Sequence, residues 1–154
     1  MNKHCSRFAR FLGAVVLVAL FLNTTTVTSA PAGQYTLTSA TVFDTKTKLT
    51  WERVALGTPM TYVDAKTYCG SASTSTRLGG SGWRIPTIKE LFSLLDHSQN
   101  PAIDATAFPS TPASGFWSST TYAAGPPNMW RADFSSGDVN ITAPSNAIFV
   151  RCVR

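Results

Sequence analysis

Two cysteines that stand far apart in the chain, Cys69 and Cys152, constrain the fold more than any other feature. A third, Cys5, lies before an apolar run near the N-terminus. In an oxidising compartment the first two can pair in only one way, and closing so long a loop stabilises a fold by about 4.5 kcal/mol in the chain-entropy model. The alternative is two free thiols. A metal site is not expected, because these cysteines and His97 have no metal-ligand spacing.

The N-terminal segment predicts export to such a compartment. A basic start precedes the apolar run Phe11–Leu22, which is shorter than the about 20 residues that span a bilayer and is typical of a secretory signal peptide. Of two candidate cleavage points we favour Ala32, because the other leaves Pro31 directly after the cut bond. This predicts a signal peptide over 1–32 and a single periplasmic or extracellular domain over 33–154, with no membrane span after cleavage. The alternative is an uncleaved membrane anchor.

Removal of the predicted signal peptide also changes the charge. Three of the thirteen basic residues leave with it, so ten remain against eight acidic residues and the net charge falls from +5 to +2. The remaining chain has no basic cluster, so nucleic acid is not an expected partner. Its length suits one domain.

Short strands and one helix are predicted in the first half of the chain. Thr61 is a plausible N-cap of a helix that runs to about Cys69, and Gly70 is placed to end it. Residues 71–82, rich in Ser, Thr and Gly, are predicted to form a loop. Alternating patterns predict a hairpin of strands at Tyr35–Leu37, Thr41–Phe43 and Leu49–Trp51.

A second helix and further strands are predicted in the second half. Thr87 and Glu90 form a capping box, which starts a helix that ends near Asp96-His97. The whole pattern predicts an α+β fold, with two short helices packed on small, mainly antiparallel sheets and one long-range disulfide. The later strands are predicted at Phe116–Thr120, Met129–Phe134, Val139–Ile141 and Ala147–Val153.

Several motifs, taken in order, carry a family resemblance. Met60–Cys69 resembles the first-helix signature of C-type-lectin-like domains, and Gly82–Leu91 resembles a segment shared by formylglycine-generating-enzyme-like domains and the Lcl C-terminal domain family. Asn100–Asp104, Phe116–Thr120 and Phe149–Arg154 follow the Lcl pattern. The resemblance covers about residues 35–154 and implies a C-type-lectin-like fold.

The resemblance also implies a class of ligand. The founding Lcl protein is an adhesin whose terminal domain binds sulfated glycans, so we expect a recognition module that binds a glycan, including a sulfated one, or a cell-surface protein. The alternative is a structural or accessory subunit of an envelope assembly. Catalysis and a cofactor are not expected. Asp96, His97 and Ser98 are adjacent only in sequence, whereas a hydrolytic triad needs convergence in space.

Calcium-dependent sugar binding is not expected either. C-type lectins use Glu-Pro-Asn or Gln-Pro-Asp together with Trp-Asn-Asp, and this chain has Gln99-Asn100-Pro101 and Gly137–Asn140 instead. Aromatic rings can stack on sugars. The alternation around Trp51, Trp117, Trp130 and Phe134 favours a place in the core for most of them.

Candidate ligand-binding residues are the polar and aromatic side chains expected to point outwards after Trp117. Arg131 is the one that could pair with an anionic group such as a sulfate. The candidates are Tyr122, Asn128, Arg131, Asp133, Asp138, Asn140 and Asn146.

Overall fold

The structure, a computed structural model, describes residues 30–154, so the predicted signal peptide at 1–32 lies almost wholly outside the described residues. It shows an α+β fold with two three-stranded antiparallel sheets, three short helices and one disulfide, which confirms the predicted class. The expected number of two helices is wrong, because there are three. Across residues 30–154 no helix has the length and apolar character needed to cross a membrane.

The first sheet consists of the three strands predicted in this region, with their ends shifted by at most one residue. Val42, in the central strand, pairs directly with Trp51 in the third strand, and both are fully buried. Lys48, in the turn between them, adopts a positive φ of 63°. The strands, in sheet order, are β1 (Tyr35–Leu37), β2 (Thr41–Asp44) and β3 (Thr50–Glu52).

The first helix, α1 (Tyr62–Gly70), begins where the capping pattern predicts. The Thr61 side chain accepts a hydrogen bond from the Asp64 amide at 3.3 Å, and its hydroxyl donates to the Asp64 carboxylate at 2.7 Å. Ala65 and Cys69, four residues apart, form the buried face of the helix. This places one half of the disulfide in the core.

A second helix, α2 (Ala72–Leu78), occupies most of the segment 71–82 that was expected to be a loop. Ser71 caps it by accepting a hydrogen bond from the Thr74 amide at 3.1 Å. Thr74 and Leu78 are both buried. The prediction is wrong because serine and threonine are weak helix formers, and here a cap and tertiary burial outweigh that preference.

The third helix, α3 (Ile88–Phe92), carries the predicted capping box in full: the Thr87 side chain accepts from the Glu90 amide, and the Glu90 carboxylate accepts from the Thr87 amide. It is shorter than expected and does not reach Asp96-His97. Beyond it the amide of Leu94 donates to a carbonyl only three residues back, so the chain continues in turns.

The second sheet is antiparallel, and both of its faces contact core residues. On one face Phe116, Ala132 and Phe134 pack in the cluster that includes Leu91 of α3. On the other face Trp117 and Met129 pack with Ala65 and Cys69 of α1. The strands, in sheet order, are β4 (Gly115–Thr121), β5 (Met129–Asp133) and β6 (Asp138–Thr142).

The closing strand expected at Ala147–Val153 is not a continuous strand. Its residues pair singly with different parts of the fold, so no regular ladder forms, although the segment crosses the core and Val150 and Cys152 are fully buried. The isolated bridges are Ile148 to Met60, Phe149 to Phe116, and Val153 to both Trp51 and Arg84.

The predicted disulfide is confirmed. Cys69 of α1 and Cys152 of the C-terminal segment are bonded across a sequence separation of 83 residues. Both are fully buried, in the same cluster as Trp83 and Trp117. The cross-link therefore ties α1 to the segment that completes the fold.

Candidate functional site

An open cavity of about 670 Å³ lies where β5 and β6 meet the loop 143–148. Three of the seven predicted binding residues line it, namely Asn128, Arg131 and Asn146. We call this cavity the β5–β6 groove. Its other lining residues are Ile141, Thr142, Ala143, Ala147 and Ile148.

Three more predicted residues share a face of the sheet with Arg131. Asn140 stands directly opposite Arg131, and Asp138 stands directly opposite Asp133. Directly paired residues project to the same face, as do residues two apart along a strand. Arg131, Asp133, Asp138 and Asn140 therefore form one polar surface, although only Arg131 of the four lines the groove itself.

The seventh predicted residue, Tyr122, lies apart from this surface. Its ring packs edge-on against Trp130, with the ring centroids 5.3 Å apart. Trp130 is half-buried, and as the neighbour of Arg131 along β5 it projects to the opposite face. Trp51, Trp117 and Phe134 are fully buried, as expected for core residues. The residues that line the β5–β6 groove do not include a tryptophan or a tyrosine.

The Arg131 side chain is held in place by two features. Its guanidinium forms an ion pair with Asp133, with Nη1 and Oδ2 3.1 Å apart. It also lies over Gly115, where an added Cβ would collide with the guanidinium. Partial burial raises the pKa of Asp133, but hydrogen bonds from the Ser135 hydroxyl and amide and the charge of Arg131 outweigh it, so the net pKa is lowered. The pair is thus ionised and its charges balance.

The loop 143–148, which forms the outer wall of the groove, is hydrogen-bonded to Met60 and to the first residue of α1. Met60 and Ile148 exchange two backbone hydrogen bonds, at 2.9 and 3.1 Å. The Tyr62 amide donates to the Pro144 carbonyl at 3.0 Å. The loop that carries Asn146 is therefore anchored at both ends, and the groove is formed before any ligand arrives.

The polar side chains of the groove offer both donors and acceptors. The Asn146 side-chain nitrogen donates to the Thr142 hydroxyl at 2.9 Å, and its side-chain oxygen is an acceptor. Asn128 supplies a second amide and Arg131 a fork of N–H donors. Ala147 and Ile148 add apolar surface. Such a lining suits a hydroxyl-rich ligand, since each hydroxyl group both donates and accepts.

Comparison with known families agrees with the resemblance. The model of the Lcl C-terminal domain matches residues 40–154. The chain belongs to the Lcl C-terminal domain family. A comparison with curated proteins found no significant match. The matched span runs from β2 to Arg154 and includes every residue that lines the β5–β6 groove, whereas β1 lies outside it.

In this Lcl domain the segment after Gly82 contributes to packing and to the start of α3. Trp83 is 4% exposed, and its indole N–H donates to the Gly80 carbonyl at 3.1 Å. Arg84 forms two hydrogen bonds with Glu90, at 2.7 and 2.8 Å. These bonds lower the pKa of Glu90 against the opposing effect of its partial burial. The Arg84–Glu90 pair thus connects the chain before α3 to the capping box of that helix.

The adjacent residues Asp96, His97 and Ser98 lie in a turn. Ser98 donates from its hydroxyl and its amide to the Asp96 carboxylate, at 2.7 and 2.9 Å, in a local turn. Asp138 and Asn140 are exposed on an edge strand. Among the described residues no group of three or more His, Cys, Asp or Glu side chains is arranged to hold a metal ion.

Sequence reasoning missed part of the groove. Thr142 and Ile148 line it, and Gly115 makes room for Arg131, but none of the three was predicted. Thr142 was missed because the predicted strand ended at Ile141, whereas β6 extends one residue further and pairs Thr142 with Met129. The place of Ile148 depends on its bridge to Met60, which no local pattern encodes.

Proposed function

We propose that this domain is an exported, non-catalytic recognition module that binds a glycan in the β5–β6 groove. The observation that carries the proposal is the pre-formed groove in which Asn128, Arg131 and Asn146 converge. Two amides and a guanidinium provide directional hydrogen bonds, and the aliphatic wall can cover an apolar sugar face. The family assignment supports recognition of a ligand outside the cytoplasm, and the disulfide is consistent with that location.

The charges around the groove favour a particular kind of glycan. Arg131 is the cation on this face, and it is already paired with Asp133, while Asp138 adds a second negative charge directly across the sheet. A sulfate would have to compete with Asp133 and approach Asp138. An uncharged sugar would instead use the ion pair as a donor and an acceptor side by side. We therefore propose neutral, hydroxyl-rich glycans ahead of sulfated ones.

A glycan array tests both statements. The purified oxidised protein is applied to matched neutral and sulfated glycans, with and without calcium. We expect binding to neutral glycans that does not depend on calcium. Preferential binding of sulfated glycans would contradict the charge argument, and an array without any binding would contradict glycan recognition.

Variants then locate the site for any glycan that binds. Asn146→Ala and Arg131→Ala should each weaken binding, because each removes hydrogen-bonding groups from the groove. Gln99→Ala is the matched control, since it removes an amide outside the groove lining. If Arg131→Ala and Asp133→Ala both leave binding unchanged, this face is not the binding site.

The second candidate function is an accessory subunit of an envelope assembly, and a different surface favours it. A shallow apolar hollow of about 260 Å³ lies between α3 and β6, and Phe92 on its rim is 58% exposed. An exposed phenylalanine of this kind can mark a protein contact. Pull-down from envelope extracts tests it: a specific partner should be lost with Phe92→Ser and retained with Asn146→Ala.

A further inference from the structure

A second cavity, independent of the β5–β6 groove, lies beside α1. It has a volume of about 300 Å³ and shares no lining residue with the groove. We call it the Lys66 pocket, and its walls include Tyr62, Lys66, Gly70, Trp83 and Ile85. Its volume suits a single ring with a short substituent.

The apolar walls of the Lys66 pocket are rigidly placed. The Tyr62 ring packs edge-on against the buried Trp117, with the ring centroids 5.5 Å apart. Trp83 and Ile85 are each 4% exposed. The backbone between them is fixed by two hydrogen bonds exchanged between Arg84 and Val153, both 3.0 Å. The pocket therefore does not need to be ordered by its ligand, which lowers the cost of binding.

The charge at the rim of the pocket is positive and unbalanced. Arg84 also lines the pocket, but Glu90 engages both of its terminal nitrogens. Lys66 is exposed, and within residues 30–154 it has no ion-pair partner. An anion near Lys66 would meet an ammonium group that is not already neutralised.

We propose that the Lys66 pocket binds a small amphipathic anion, namely a ring carrying a carboxylate. The ring occupies the space between Tyr62 and Ile85, and the carboxylate faces the Lys66 ammonium. The apolar walls disfavour a bare hydrated anion, and the unbalanced cation disfavours a neutral ring. This assignment stands on its own and does not depend on glycan binding in the groove.

A titration followed by NMR tests the proposal with three probes. Phenylacetate carries both features, phenylacetamide is its neutral analogue, and acetate lacks the ring. With the ¹⁵N-labelled oxidised protein, phenylacetate should shift the amides of Lys66, Gly70 and Ile85 saturably. Phenylacetamide should bind about 1.4- to fivefold more weakly, as loss of an exposed charge pair predicts. Acetate should also bind more weakly, because it lacks the ring that the apolar walls cover. Equal binding of phenylacetamide, or no shift of these three amides, would overturn the proposal.

Two pairs of variants separate charge from shape. Lys66→Gln should weaken phenylacetate binding about 1.4- to fivefold, as loss of an exposed charge pair does. Lys89→Gln, at another exposed lysine outside the pocket, should leave it unchanged. Gly70→Leu should block the pocket, and Gly57→Leu is its control, since an added Cβ meets no atom within 4 Å at either glycine. If Lys66→Gln behaves like Lys89→Gln, the carboxylate does not face Lys66.

Discussion

Glu52, the last residue of β3, is a fully buried carboxylate whose loss should destabilise the fold. Its Oε1 accepts hydrogen bonds from the Tyr68 hydroxyl at 2.7 Å and from Arg77 Nη2 at 2.6 Å. Its Oε2 accepts from the Cys152 amide at 3.0 Å. Arg77 also contacts the Tyr68 hydroxyl. The Glu52 carboxylate thus links β3, α1, α2 and a disulfide cysteine. Glu52→Gln perturbs this hydrogen-bond network without changing the side-chain volume.

The expected magnitude follows from the partners that Glu52→Gln leaves unsatisfied. The amide keeps one acceptor oxygen, which can serve the buried Cys152 amide, and the Tyr68 hydroxyl can reorient to accept from the new NH₂ group. Arg77 then loses its charged acceptor. A hydrogen bond to a charged group contributes about 1.5–3 kcal/mol, and the Arg77 side chain is 46% exposed and can regain water, so the lower end applies. Glu52→Ala removes all three hydrogen bonds to the carboxylate, including that of the buried Cys152 amide, and should cost about 3–5 kcal/mol.

The chain offers a matched control, because it has only one other glutamate, Glu90. Glu90 also accepts hydrogen bonds from an arginine and a backbone amide, but its ion pair with Arg84 is largely open to solvent. Glu90→Gln preserves the capping box and should cost at most about 1 kcal/mol. Urea unfolding of the oxidised protein, followed by tryptophan fluorescence, compares the two. If Glu52→Gln costs no more than Glu90→Gln, burial of the network does not stabilise the fold as argued.

Three further predictions concern other parts of the fold. Replacing Cys69 and Cys152 by alanine should lower the free energy of unfolding by about 4.5 kcal/mol in urea titrations, and a loss under about 1 kcal/mol would contradict the loop-entropy argument. Burial, and then the nearby carboxylates, raise the pKa of Tyr35 from 10 to about 12. The unfolded state therefore loses this proton first, so stability should fall as pH rises from 10 through 12, and this fall should be smaller in Tyr35→Phe when unfolding is measured at each pH. Thr87→Ala should cost about 1 kcal/mol in urea unfolding because the α3 cap is lost, whereas Thr87→Ser should cost much less.

Local signals account for the parts of the fold that the sequence predicts well. Thr61 and Thr87 each cap a helix by a hydrogen bond that spans three residues, so the pattern is visible in a short window. The alternation of apolar and polar residues in β5 is also visible in a short window of sequence. Segment 71–82 shows the limit of this reasoning: its helix depends on the burial of Thr74 and Leu78 against distant residues, and its composition favours a loop.

Long-range pairing accounts for what the sequence does not predict. Arg151 is fully buried and donates to the carbonyls of Glu52 and Arg53, both at 2.6 Å, and to the Thr111 hydroxyl at 2.7 Å. Burial, opposed by the charge of Glu52, lowers the pKa of Arg151 to about 10. A pattern search treats such an arginine as a surface residue, because its partners lie up to 99 positions away.

The candidate site likewise has a part that local sequence patterns predict and a part that depends on long-range pairing. Strand alternation was enough to place Arg131 and Asp133 on one face of β5, whereas Asn140 joins that face only through the register between β5 and β6. The groove itself needs the wall that contains Ile148, which the bridge to Met60 holds. Ile148 belongs to the same C-terminal segment as Cys152, and this segment is attached residue by residue to four parts of the fold. The disulfide therefore also anchors the segment that forms one wall of the groove. The cross-link and the candidate site thus depend on the same C-terminal segment.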